Sequence, residues 1–333
     1  MYFPSAAAGI VDLVLEVIAN GVDLVLAGTA THISVDVEDD GAITVSDDGP
    51  GLPVHATVHG RPSVEEVFTV LHRTPTADGH YPHVHLAGGF GLAPVTAACR
   101  SVEVETRCAD GVYRAAFAPG VVTSALARVA PATGTTGTAI RLVPDAAVFG
   151  DIHVDRAMLC DRLRALAWIH PGLVTELDGE RFGPVVDLTE LFAEVRGDAL
   201  LLHPGPFHVR TRARQSFAHV ALGWQRERVT PRVRAYCNFR EMTEGGTHLV
   251  GIEEGLRRAL DRTPINGILE GLVAALHVVM LDPEVGGPTR GRLDSPEAVE
   301  LVADAIASSL PAQLRSVLSL SIDLRTRRPD RGA

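Results

Sequence analysis

Four polar side chains interrupt an otherwise apolar stretch near the start of the chain, and their spacing is what could do chemistry. In DLVLEVIANGVDLVL (12–26), eleven of fifteen residues are apolar or Gly, while Asp12, Glu16, Asn20 and Asp23 recur at steps of four, four and three. On a helix those steps put all four on one stripe. A helix apolar around most of its girth is buried, so the stripe faces either solvent or an internal cavity. Further on, SDDGPGLP (46–53) follows a strand-like run and sets a carboxylate just ahead of two glycines one residue apart. A carboxylate and an amide on one helix, with an Asp-x-Gly-x-Gly turn beyond, could together hold a nucleotide and its metal.

The elements that must position these residues are legible in outline. HISVDVED (32–39) alternates as a strand, Asp40-Gly41 makes a turn and AITVSD (42–47) returns, a hairpin that ends on the carboxylate. SVEEVFTVLH (63–72) opens with Ser63 followed by Glu66, a capping-box pattern, and predicts a short helix. Residues 73–85 show no periodicity. AGGFG (87–91) then leads into LAPVTAAC, so a glycine turn opens a helix whose free N–H groups and dipole suit an anion. SVEVETR and VYRAAFA pair around Asp110-Gly111, TGTTGTAIRLVP (133–144) turns into a strand, and DRAMLCDRLRALAWIH (155–170) is an amphipathic helix. Past Pro204-Gly205-Pro206 come the strands FHVRTRA, HVALGW and RVRAYCNF. A glycine turn and helix follow in EGGTHLVGIEEGLRRALDR, then the strand LVAALHVVML and a last long helix, SPEAVELVADAIASSL. The change of pattern predicts two domains, 1–200 and 201–333.

Composition narrows the classes. At 333 residues and 46% hydrophobic, the chain can bury two cores. A formal charge of -11 argues against a generally basic nucleic-acid binder. All 30 basic residues are arginine, so any phosphate contact uses guanidinium or backbone N–H groups. Cys99, Cys108, Cys160 and Cys237 are scattered without a C-x-x-C, which reads as free thiols in a reducing compartment. No signal-peptide pattern and no charge-free apolar run of membrane-spanning length occurs, so a cytoplasmic protein with no membrane partner is expected. His80, His83 and His85 read as polar loop composition rather than a metal site.

Four blocks, LVLEVIANGVDLVLAG, ITVSDDGPGLPV, TGTTGTAIRL and YCNFREMTEGGTHLVGIEEGLRRAL, taken in order, resemble the ATPase region of the DNA gyrase B subunit and its topoisomerase IV counterpart, within the GHKL ATPase superfamily. The likeness covers nearly the whole chain. It implies an α+β fold: a GHKL (Bergerat) α/β sandwich ATPase domain over 1–200, then a ribosomal-S5-like transducer domain over 201–333. ATP and Mg2+ are the implied cofactors. Glu16 resembles the general base or water-positioning carboxylate, and Asn20 the side-chain ligand of the Mg2+, an ion that draws most of its shell from phosphate and water. Asp47 resembles the acceptor for the adenine amine. Gly49 and Gly51 would let backbone approach the base, with Leu52 lining the same site and Thr138 adding a hydroxyl. Gly89 and Gly91 would present N–H groups to the phosphates. Arg290, in Pro288-Thr289-Arg290, stands where the family's lysine reaches the γ-phosphate.

Departures from the family pattern are equally specific. Leu24 and Pro50 replace a facing acid and arginine, His85 and Leu86 replace the lid's glycine pair, and the lid lysine is missing around Thr76. Cys108 stands where the family has an arginine at the site mouth. The implied function is ATP binding with slow hydrolysis, coupled to DNA topology change only with a topoisomerase A-type or cleavage-domain partner. A non-hydrolysing ATP-binding switch or regulatory paralogue, and a small-molecule phosphotransferase on the same fold, are the alternatives. FHVRTRAR (207–214) either lines a DNA-facing cavity or forms a solvated strand face. With only Met1 to Gly9 ahead of the first helix, a monomer or weak dimer is expected.

Overall fold

A computed structural model describes residues 7–58, 60–71, 92–213, 216–260, 265–280, 283–287 and 291–315. Gly89, Gly91 and Arg290 lie outside the described residues, as do His80, His83, His85, Leu86 and Thr76. The chain forms two compact units, residues 1–184 and 185–333.

In the first unit the alternating strands make one eight-stranded sheet. Its order is Glu180–Phe182, Val174–Leu177, His32–Val37, Ile43–Asp47, Gly137–Pro144, Cys99–Cys108, Gly111–Ala118 and Val121–Ala130. His32–Val37 pairs with Val174–Leu177 in parallel, and the other pairs are antiparallel. One face is apolar and buried: Ile33, Val35, Val45, Val102, Val104, Phe117, Ile140 and Leu142 are all 5% exposed or less. The opposite face carries the ion pairs of Arg114 with Glu105 and Arg141 with Glu38. That is the in–out alternation of a sheet covered on one side. The helix Ala7–Leu26 covers the apolar face, with Gly21 seated against Ile33. The helix Arg156–Ile169 covers the same face, where the Leu163 carbonyl accepts from Thr175, a neighbour of Ile33 in register. Its N-cap is Asp155, whose carboxylate accepts from Met158 N–H.

The capping box predicted at Ser63 does not form. Pro62 is the N-cap of the helix Ser63–Thr69, and the Ser63 hydroxyl donates instead to the Pro53 carbonyl at 3.1 Å. The helix also stops at Thr69, short of the predicted end, because Val70 is extended.

The second unit holds a five-stranded sheet in the order Phe207–Ala213, Ser216–Trp224, Leu272–Val279, Arg232–Cys237 and Arg240–Glu241. Val209, Val220, Leu276 and Ala235 share one face with Trp224, packed under the helices Thr247–Ala259 and Glu297–Arg315. The helix Thr189–Arg196 packs on the other face, where a Cβ on Gly223 would meet Phe192. No described helix is long and apolar enough to cross a membrane.

Candidate nucleotide site

Register places the site. Thr106 pairs with Thr138, Thr138 with Asp47, Asp47 with Ile33 and Ile33 with Thr175, a single row across five strands. Residues directly opposite on neighbouring strands share a face. Asp47, Thr138 and Thr106 therefore all sit on the helix-covered face, at the end of the sheet's central strands.

Over that row lies a cavity of about 250 Å³. The helix Ala7–Leu26 gives it Asn20, Asp23 and Leu24; the turn after Ile43–Asp47 gives Gly51 and Leu52; the floor holds Asp47, Thr138 and Ile140. The polar stripe of the first helix thus borders a cavity at its C-terminal half. Glu16 sits one turn before Asn20, only 8% exposed, and does not line the cavity. The Asn20 amide nitrogen donates back to the Glu16 and Val17 carbonyls, each at 3.4 Å. Asn20 is itself exposed.

Asp47 is held as an acceptor. Its Oδ1 takes the Gly49 N–H at 2.8 Å, an Asx turn that bends the chain straight out of the strand. Burial raises its pKa above the ordinary carboxylate value, while the Gly49 and Thr138 backbone N–H groups pull the other way. The neighbouring Asp48 points elsewhere and does structural work: its carboxylate accepts from Thr31 N–H, His32 N–H and the Thr31 hydroxyl, at 2.7, 2.9 and 2.7 Å.

The glycines are needed by space and by conformation. A Cβ on Gly49 would lie 2.5 Å from Leu24 Cδ1 and 2.8 Å from Asp47 Oδ1. Gly51 has φ +84°, and its Cβ would lie 2.7 Å from the Arg107 carbonyl. Leu24 thus occupies the space beside the turn where the resemblance places a charged pair.

Thr106 does not stand out in the sequence as a site residue, yet it and Cys108, noted there at the site mouth, both grip the turn. Leu52 N–H donates to Thr106 Oγ1 at 2.8 Å, and the Cys108 thiol donates to the Leu52 carbonyl at 3.4 Å. Thr106 is itself 3.4 Å from Thr138 Oγ1, so a buried threonine pair ties the glycine turn to the floor. Arg107, between them on the strand, projects to the opposite face toward Glu105. A threonine in an alternating strand carries no signal of its own; only the pairing of Thr106 with Thr138 reveals it.

The family model described as DNA gyrase B matches residues 188–320. The DNA gyrase B protein of Thermus thermophilus is 31% identical over 327 residues, covering 89% of this chain and 50% of that protein. Its Micrococcus luteus counterpart is 30% identical over 379 residues, covering 93% and 52%. The chain spans about half the length of these relatives. Among solved structures, the 43K ATPase domain of Thermus thermophilus gyrase B, in complex with an aminocoumarin, superposes with a TM-score of 0.81 at 28% identity, covering 95% of this chain and 87% of that one. The gyrase B protein of Myxococcus xanthus shares the fold, with a TM-score of 0.78 at 21% identity.

Proposed function

We infer that this relative of the DNA gyrase B ATPase region binds ATP in the cavity beneath its first helix and hydrolyses it slowly. The carrying observation is Asp47, a carboxylate set with Thr138 at the floor of a cavity whose walls are mainly apolar, with Asn20 and Asp23 on the helix side. A flat heteroaromatic ring fits between such walls, and the carboxylate asks it for a donor. Adenine offers an exocyclic amine, whereas guanine would set a carbonyl against the carboxylate, acceptor to acceptor.

Asn20, which lines the cavity, is the residue that would hold Mg2+ through its side-chain carbonyl oxygen. Such an ion would draw most of its shell from phosphate and water. Bound there, Mg2+ would supply charge stabilisation for phosphoryl transfer. Glu16, one turn earlier and largely shielded from bulk water, would orient the attacking water and accept its proton. Gly89 and Gly91 would donate to the phosphates, and Arg290 would meet the γ-phosphate. Residues 201–333 would serve as the S5-like transducer, passing nucleotide state to DNA and to a topoisomerase A-type or cleavage-bearing partner.

Phosphate release from purified protein with Mg-ATP, with and without supercoiled DNA, tests this reading. Glu16→Ala is expected to abolish release while leaving Mg-ATP binding within a few-fold, because a base acts on water and not on the nucleotide. Wild-type release no greater than a heat-killed control would overturn hydrolysis. The chain would then be a nucleotide-held switch, a reading that Pro288-Thr289-Arg290, in place of Gln-Thr-Lys, favours.

A further inference from the structure

The second sheet carries a polar row on the face away from its core. Arg210, His219, His277, Tyr236 and Glu241 stand directly opposite one another across five strands. His208 lies diagonally beside His219, and its Nδ1 is 3.2 Å from His219 Nε2. The far side of the His208 ring is fixed: Nε2 is 3.2 Å from Thr189 Oγ1 and 3.5 Å from Asp187 Oδ2. The Thr189 hydroxyl donates its own proton to Asp187 at 2.6 Å. It can therefore only accept from the ring, so Nε2 carries the hydrogen and Nδ1 turns a lone pair toward His219.

We propose that His208 and His219 form a two-imidazole site for a divalent transition ion such as zinc or copper, with Asp187 and Thr189 positioning His208. Two nitrogens each about 2.0–2.1 Å from a tetrahedral ion stand about 3.3 Å apart, close to the spacing found here. The ring passes its other hydrogen to the Thr189 hydroxyl, which Asp187 in turn holds, so His208 is oriented from behind as metal-bound histidines are. Ligation moves the His219 hydrogen from Nε2 to Nδ1 and releases no net proton. Water completes the shell from the side of His208, whose side chain is 24% exposed. Arg210 is the opposing charge, exposed on the edge strand, and has solvent to swing into. His277 is engaged with the Asn238 carbonyl and is not counted as a ligand.

The test uses the full chain without an affinity tag, stripped of metal. Equilibrium dialysis reads zinc stoichiometry, and electron paramagnetic resonance reads the nitrogens bound to copper. His80→Ala, His83→Ala and His85→Ala combined provide a background free of the loop histidines. One ion per chain is expected in both wild type and background, with two nitrogens on copper. His208→Ala should weaken binding at least tenfold, and Asp187→Asn should weaken it about 10- to 100-fold. His208→Gln, closer in size and polarity, replaces the alanine variant if circular dichroism shows that one unfolded. Equal affinity in the His208 variants, no ion bound to wild type, or binding lost only with the loop histidines would each overturn the proposal.

Discussion

Asp47 is asked to act as an ionised acceptor in a place that resists ionisation, since burial raises its pKa above that of an exposed carboxylate. Asp47→Asn keeps the shape but removes the charge that strengthens the bond to a donor. ATP affinity is expected to fall about tenfold or more, and calorimetry with ATP and GTP side by side measures it; equal wild-type affinity for the two would sink the adenine assignment. Cys108 supports a second expectation. The related Thermus thermophilus domain is known in complex with an aminocoumarin. Here Pro50 and Cys108 stand where the resemblance puts the arginines such inhibitors use, and Arg107 cannot substitute because it leaves by the other face of the sheet. Thermal-shift titration should therefore show weak binding of an aminocoumarin, and a tight complex would contradict this account. Asp47, Gly49 and Gly51 were legible because three uncommon turn residues fall in fixed order within five positions. Thr106 was not, because what matters is its partner across the sheet.

Elements were legible wherever one local signal sufficed: the Asp40-Gly41 and Asp110-Gly111 hairpins, and Asp155 at its helix start. The Ser63 capping box misled because Pro62 takes the N-cap position, and the Ser63 N–H that Glu66 would have capped donates to the Ala56 carbonyl instead. Helix-to-helix distance was equally hidden, and it governs Thr247–Ala259 against Glu297–Arg315. A Cβ at Gly255 would lie 2.8 Å from Ile306 Cβ and 3.0 Å from both the Cα and carbonyl oxygen of Ala303. On an open helix surface Gly→Ala gains up to about 1 kcal/mol. Here the neighbouring atoms are backbone and a β-carbon, which cannot rotate away, and overpacking of that kind costs about 1–3 kcal/mol. Gly255→Ala should therefore lower the urea midpoint of the second unit, read from Trp224 fluorescence. A midpoint equal to or above wild type would mean that the two helices have room to part.

At the scale of the whole molecule, the second unit carries its own sensitivity to acid, set by histidines that must stay neutral. His203 spends both ring nitrogens: Nδ1–H donates to the Gly205 carbonyl, and Nε2 accepts from Trp224 N–H at 2.9 Å. A proton on Nε2 would collide with that donor, and burial already holds the ring's pKa below the ordinary histidine value. His248 is 1% exposed with no hydrogen-bond partner among the described residues at either ring nitrogen, and burial pushes it down to about 4. The sign follows from which state binds protons. Above pH about 6.5 neither the folded nor the unfolded histidine is charged, and stability is complete. Below it the unfolded chain takes up protons that the folded chain refuses, so stability falls by up to about 1.4 kcal/mol per pH unit for each such residue. For His248 the fall levels off near pH 4, where the folded form can protonate too. The urea midpoint of the second unit should therefore decline steadily from about pH 6.5 to about 4.5. In His248→Leu, which puts an apolar group in an apolar place, the decline should be shallower by about one proton's share. Parallel slopes for wild type and variant would show that His248 is solvated in the native state and that the buried position described here is not the one that titrates.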